Sequence, residues 1–261
     1  MRARGNHASL LGNQGELLRA HALYEDVIAH AGRLGIRGFE SWCSVELAFL
    51  DYHGGAWDDA YGASEAFLAE GGDAHYMGAM ARQVTGAIMV ARGDADAGLA
   101  ESERALVFAR HAKDPQILYP TLSWHLHLLT LGDRTTEAGE RADELLRLAA
   151  EHEYQPNQWV MHATFALDDL NRAGDAAGVL SRLTTTTRWR EAAMTYAAGD
   201  RIAAADVLGA MNDRAGEAYA RLRAAEAGAS REQANASLAF YSGVRASVFA
   251  RRAEALLPAS A

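Results

Sequence analysis

Apolar side chains return along this chain every few residues, in long runs that end at a glycine. Leu23, Val27 and Ile28 form one such stripe, Phe67 and Leu68 a second, Leu106 a third, and Leu145, Leu146 and Leu148 a fourth. Helical spacing of this kind gathers the apolar groups on one face. The pattern predicts paired helices over 3–13 and 16–34, 38–53 and 56–70, 74–92 and 94–112, 115–131 and 135–153, and 158–173 and 175–183. Shorter helices follow over 188–198, 201–211 and 214–228, then one long final helix over 230–257.

The pairs are copies of one unit. A glycine followed about five residues later by a small residue recurs as Gly15 with Ala20, Gly55 with Ala60, Gly93 with Gly98 and Gly132 with Ala138, and more loosely at Gly174 and Gly199. The glycines are 40, 38, 39, 42 and 25 residues apart. Glycine supplies the left-handed backbone that ends the first helix of a hairpin. An acidic or amide residue after it suits the free amides at the start of the second, and the small residue lets the two helices approach closely. Between pairs, Asp114 and Pro115 read as a cap and a first helical residue, and Pro120 should kink or delay its helix.

The expected architecture is all-α: a right-handed α-α superhelix of about six helical hairpins closed by a C-terminal capping helix. The threonines at 184–187 mark a boundary between helical repeats over 1–183 and shorter hairpins with the capping helix over 184–261, continuous with the same solenoid. The first helix offers only Leu10 and Leu11 as large apolar residues. Its uncapped outer face suggests preceding sequence, or self-association through the N-terminal repeat, with simple fraying as the alternative.

Composition agrees with helix and excludes several functions. Among 261 residues, 56 are alanine and only 15 are valine or isoleucine, a balance that disfavours strands. The net charge of −9 argues against a phosphate-tracking face, so no nucleic-acid partner is expected. Lys113 is the sole lysine, which rules out a Walker-type nucleotide loop, and Cys43 is the sole cysteine, which rules out an intrachain disulfide. No apolar run long enough for a signal or a membrane span is present, since the stretch Leu126–Leu131 is short and interrupted by His127. A cytoplasmic protein without a membrane partner is the expectation.

The glycine-to-alanine pattern resembles the tetratricopeptide repeat, with a longer period and without the usual tryptophan-leucine-glycine signature in the first helices. The segments Arg188-Trp-Arg-Glu-Ala-Ala193 and Asn212-Asp-Arg-Ala-Gly-Glu-Ala-Tyr219 are similar to the tetratricopeptide-like C-terminal arm of large actinobacterial signalling and transcriptional regulators that carry an ATPase module, sometimes with a nucleotide-cyclase domain. That resemblance implies a role in signalling through the arm. The family's catalytic parts lie upstream of the arm, and no residue here matches them.

The remaining motifs yield no enzyme, cofactor or metal expectation. His125 and His127 stand two apart on a helix and point to nearly opposite sides, so they read as structural histidines. His152-Glu153 begins like a zincin helix, but the second histidine would fall at Pro156. Ser64 lacks the closing glycine of a nucleophile elbow, and Cys43 reads as a buried thiol.

Binding is the function the pattern favours. In tetratricopeptide-like stacks the first helix of each pair lines the concave side, which would carry Trp42, Phe49, Tyr52, Gln83, Tyr119, Leu122, Met161 and Asp168. Aromatic residues on an open face would anchor a protein or peptide partner, with Asp168 as polar orienter. A small-molecule or peptide sensor with a closed cavity beside Met161, His162 and Asp168 is the rival reading. A third possibility is that the superhelix closes and these side chains only pack on neighbouring helices.

Overall fold

Left-handed glycines end the first helices of the hairpins: Gly55 has φ 95° and Gly93 φ 105°, and the amide following each bonds back into the helix it ends. A computed structural model describes residues 1–72, 76–228 and 230–257. Within them the chain forms fifteen helices. They are α1 (Arg2–Gln14), α2 (Leu17–Arg33), α3 (Arg37–Gly54), α4 (Trp57–Ala69), α5 (Gly78–Arg92), α6 (Ala95–Ala112), α7 (Pro115–Leu131) and α8 (Thr135–Glu151). Then follow α9 (Trp159–Asp169), α10 (Ala173–Arg182), α11 (Arg188–Ala197), α12 (Arg201–Met211), α13 (Arg214–Glu226), α14 (Arg231–Gly243) and α15 (Ser247–Glu254). No strand occurs among the described residues, and none of these helices is long and apolar enough to cross a membrane.

The small residues do what the repeat pattern requires. Ala20, Ala60 and Ala138 are fully buried. A Cβ on Gly98 would come within 2.5 Å of the Gly86 carbonyl oxygen, so α5 and α6 touch backbone to backbone there. Asp94, Asp114, Asp200 and Asp213 each accept a backbone N–H in the first turn of the helix they precede.

Two expectations need correction. The long final helix is two helices, because Arg245 adopts a left-handed φ of 60° and turns α15 back. The hairpins therefore number seven, from α1/α2 to α13/α14, with α15 as a single closing helix. The helix expected over 158–173 also ends early, at Asp169, where Asn171 takes φ 59°. The expected start of α5 at residue 74 lies outside the described residues, as does the end of the C-terminal segment beyond residue 257. Pro120 delays nothing: α7 runs through it, leaving the Gln116 carbonyl without its usual helical donor.

Hairpins stack in chain order into an α-solenoid, and the odd-numbered helices line its inner side. The solenoid curls tightly enough to meet itself. The Trp189 Nε1 of α11 donates to the Gly12 carbonyl of α1 at 2.9 Å, α13 packs against α3, and α15 packs against α5. Each contact joins helices ten apart, so five hairpins complete one superhelical turn. The seam is sealed by Ser247 Oγ donating to the Arg92 carbonyl at 3.0 Å, by Arg92 and Arg245 on Asp58, and by Trp57 edge-on to Phe240. The threonine segment does not interrupt the inner wall, since α11 packs directly on α9.

Candidate functional site

Closure turns most of the concave side into core. Phe49, Gln83, Tyr119, Leu122 and Met161 are buried. Leu122 is wholly enclosed, and the Tyr119 hydroxyl donates to the Leu148 or His152 carbonyl, both at 2.9 Å. Trp42 turns away from the axis, stacked on Phe39 and edge-on to Tyr24. Tyr52 stacks on Trp57 at 5.1 Å. Asp168 is no free orienter: it accepts from Arg201 at 3.0 Å, Arg223 at 3.3 Å and Tyr196 at 2.9 Å. The eight residues thus form no continuous open groove with aromatic anchors. The physical reason is the five-hairpin turn, which lays α13 and α15 over the face that α3 and α5 would otherwise expose.

Two spaces along the inner side combine aromatic walls with polar groups. The deeper is a narrow aromatic chamber of about 40 Å³ whose walls include Tyr52, Trp124, Met161, Trp189, His53 and His162. Trp124 and His162 stack there at 4.4 Å, and the His53 ring bonds through Nδ1 to the Asp213 carboxylate at 2.7 Å. The His53 and His127 Nε2 atoms are buried in it without a hydrogen-bond partner. Burial pushes His127 down to about 3 and His162 well below its ordinary value, so both imidazoles are neutral. His125 points the other way, toward Ser102 and Glu103 at 2.9 and 3.0 Å, as the two-residue spacing predicts.

The second space opens to solvent at the N-terminal ends of α5 and α7, a mouth pocket of about 740 Å³ including its opening. Phe49 and Gln83 belong to both the sequence-predicted inner face and this pocket, where Gln83 Nε2 donates to Thr121 Oγ1 at 2.5 Å. Its other walls are α1 (Ser9 and Asn13), Tyr24, the start of α5 (Tyr76, Met77 and Met80), Gln116 and Pro120 of α7, and Tyr154, Asn157 and Gln158 before α9. Asn157 ties this last segment to α1 through Asn13 at 3.3 Å.

Glu46 is the charged residue of the pocket. No lysine, arginine or histidine lines it among the described residues. Desolvation raises the Glu46 carboxyl to about 7, against the opposing pull of the neighbouring Tyr24 hydroxyl. The same burial, reinforced by Glu46, pushes the Cys43 thiol up to about 12, so that thiol is unreactive. The arrangement offers one acid, a set of neutral amides and hydroxyls, and apolar walls. It can bind and orient a ligand.

Glu46 lies between the inner-face positions Trp42, Phe49 and Tyr52 expected from the sequence and is not one of them. Its signal was a lone acid inside the apolar run Val45-Glu-Leu-Ala-Phe-Leu50. Tyr76 and Asn157 left no such mark, because they stand in connections between hairpins. The chain matches no protein-family profile and no curated protein.

Proposed function

We propose that this protein is a non-catalytic helical-repeat receptor that takes a small ligand, or the end of a peptide, into the mouth pocket of its closed solenoid. The observation that carries the reading is the pocket itself. It joins an acid that makes no ion pair among the described residues to several neutral polar groups and to apolar walls. A fold gains nothing by desolvating a carboxyl beside an opening, whereas a binding site does. Ligand bound between α1, α3, α5, α7 and the segment before α9 would brace the superhelical turn. In a regulator of the kind the repeats resemble, occupancy would thereby be passed along the arm. This reading moves the partner from an open groove to a pocket.

The test is a thermal-shift screen of metabolites and short peptides against the protein and its Met80→Trp variant, whose indole would fill the pocket. Ligands that bind the fold alone raise its melting temperature by mass action. Compounds that stabilise the parent and leave Met80→Trp unmoved are expected. Equal shifts in both proteins would remove the pocket as the site.

A further inference from the structure

Resting on that reading, we infer that the mouth pocket is selective for an organic cation: a protonated amine carried next to an apolar group, as in a free aralkylamine or the N-terminal residue of a peptide. Three observations converge on this chemistry. The described lining contains a single ionisable carboxyl and no basic side chain, so an anionic ligand would meet an acid and no counter-charge. Among the described residues Glu46 takes part in no ion pair, whereas most other partly buried acids do, such as Asp168 with Arg201, Glu144 with Arg110 and Glu217 with Arg221. The walls around it carry the aromatic rings of Tyr24, Phe49, Tyr76 and Tyr154, whose faces attract cations, and the apolar side chains of Met77, Met80 and Ile117.

The polar rim fits the same ligand. An ammonium has three donors and no acceptor. Glu46 can accept one, and the side-chain oxygens of Ser9, Asn13, Gln116 and Gln158 lie in the same lining for the rest. The aliphatic or aromatic body then lies against Phe49, Leu50 and Met80.

Binding is linked to pH through Glu46. The groups facing it are Tyr24 of α2, Cys43 on its own helix and Tyr76 at the start of α5, each neutral near pH 7 because burial and the acid itself raise them. Ser9 and Asn13 of α1 and Gln116 of α7 carry no charge. No described cation competes for the carboxylate, so the arriving ammonium must ionise it and release its proton. Affinity therefore rises with pH through the neutral range, as long as the amine stays protonated.

Calorimetric titration with four probes tests the inference: 2-phenylethylamine, phenylalanyl-alanine amide, the N-acetyl form of that dipeptide amide, and 3-phenylpropionate. Binding of one or both free amines, with at least about tenfold weaker binding in Glu46→Gln and about tenfold weaker binding at pH 5.5 than at pH 8, is expected. The first two probes separate a free amine from a peptide terminus. Equal or tighter binding of the acetylated peptide or the carboxylate, abolished by Met80→Trp, would overturn the cation and leave the pocket standing. Amine binding that survives both Glu46→Gln and Met80→Trp would overturn both, and failure of both amines to bind would overturn the cation. Circular dichroism confirms that the two variants keep their helices.

Discussion

The inner side of the solenoid behaves in opposite ways at its two levels. At the mouth, Glu46 is desolvated with no cation beside it. At the far end, Asp168, Asp169 and Glu226 are held by Arg201, Arg223, Arg252 and Tyr219, a lock that joins α9, α12, α13 and α15. Both levels are built from the same first helices of the same repeat. They differ in what the second superhelical turn brings against them: α13 and α15 cover the far end and supply arginines, whereas no described residue of α11 to α15 lines the mouth. Partnered charges hold a fold together, and an unpartnered one at an opening is available to a ligand.

The sharpest way to break this contrast is at the centre, where the two levels meet. Trp124 is fully buried between Phe49 and His162. Trp124→Ala should lower unfolding stability by about 3–5 kcal/mol in a urea titration. A smaller loss would mean that the chamber can collapse around the deletion.

Asp213→Ala comes next. Its carboxylate both caps α13 through the Gly216 amide at 3.0 Å and holds the buried His53 ring across the seam. Losing a cap and leaving a buried imidazole nitrogen unpaired should cost about 2–3 kcal/mol, and Asp213→Asn, which keeps an acceptor, should cost less.

The mouth should respond with the opposite sign. The Glu46 carboxyl titrates near 4.5 in an unfolded chain and at about 7 in the fold. Between those values the folded chain holds a proton that the unfolded chain releases, so this residue lowers stability as pH rises through that window, and the full penalty is present above it. Glu46→Gln should therefore stabilise the protein by about 1–2 kcal/mol near pH 8 and have almost no effect near pH 4.5, measured as the difference between denaturation midpoints. A destabilised Glu46→Gln would mean that the carboxyl serves the fold.

The far side of the pH scale gives the mildest prediction. Burial pulls His125 from its ordinary 6.5 down to about 4, so the folded ring stays neutral while the unfolded one protonates. Stability contributed this way is complete above 6.5 and falls as pH drops toward 4. His125→Gln should flatten the acid limb of the stability profile by up to about 1 kcal/mol per pH unit.

The helices were legible because their causes are local. Gly15, Gly55 and Gly93 end helices through their own backbone angles, and Asp94 or Asp114 starts the next through amides two or three residues away. The break in the final helix was hidden, since Arg245 is an unusual residue for a left-handed turn and the flanking periodicity runs on without interruption. A small part of the site was legible as well: Phe49 and Gln83 lie on a stripe that points inward in any stack of hairpins. Glu46 could be read only as an oddity in an apolar run, because its meaning depends on which elements arrive opposite it.

By itself, then, the chain determined its hairpins, their order and the side each turns inward, all through contacts within a turn or two of helix. The tertiary structure alone decided that five hairpins close one turn, because that number follows from small rotations between successive units adding up over many repeats, and no single repeat encodes the sum. The same accumulated rotation placed α13 on α3 and left α5 and α7 uncovered at their N-terminal ends. It thereby made Trp124 core and Glu46 the wall of an open pocket.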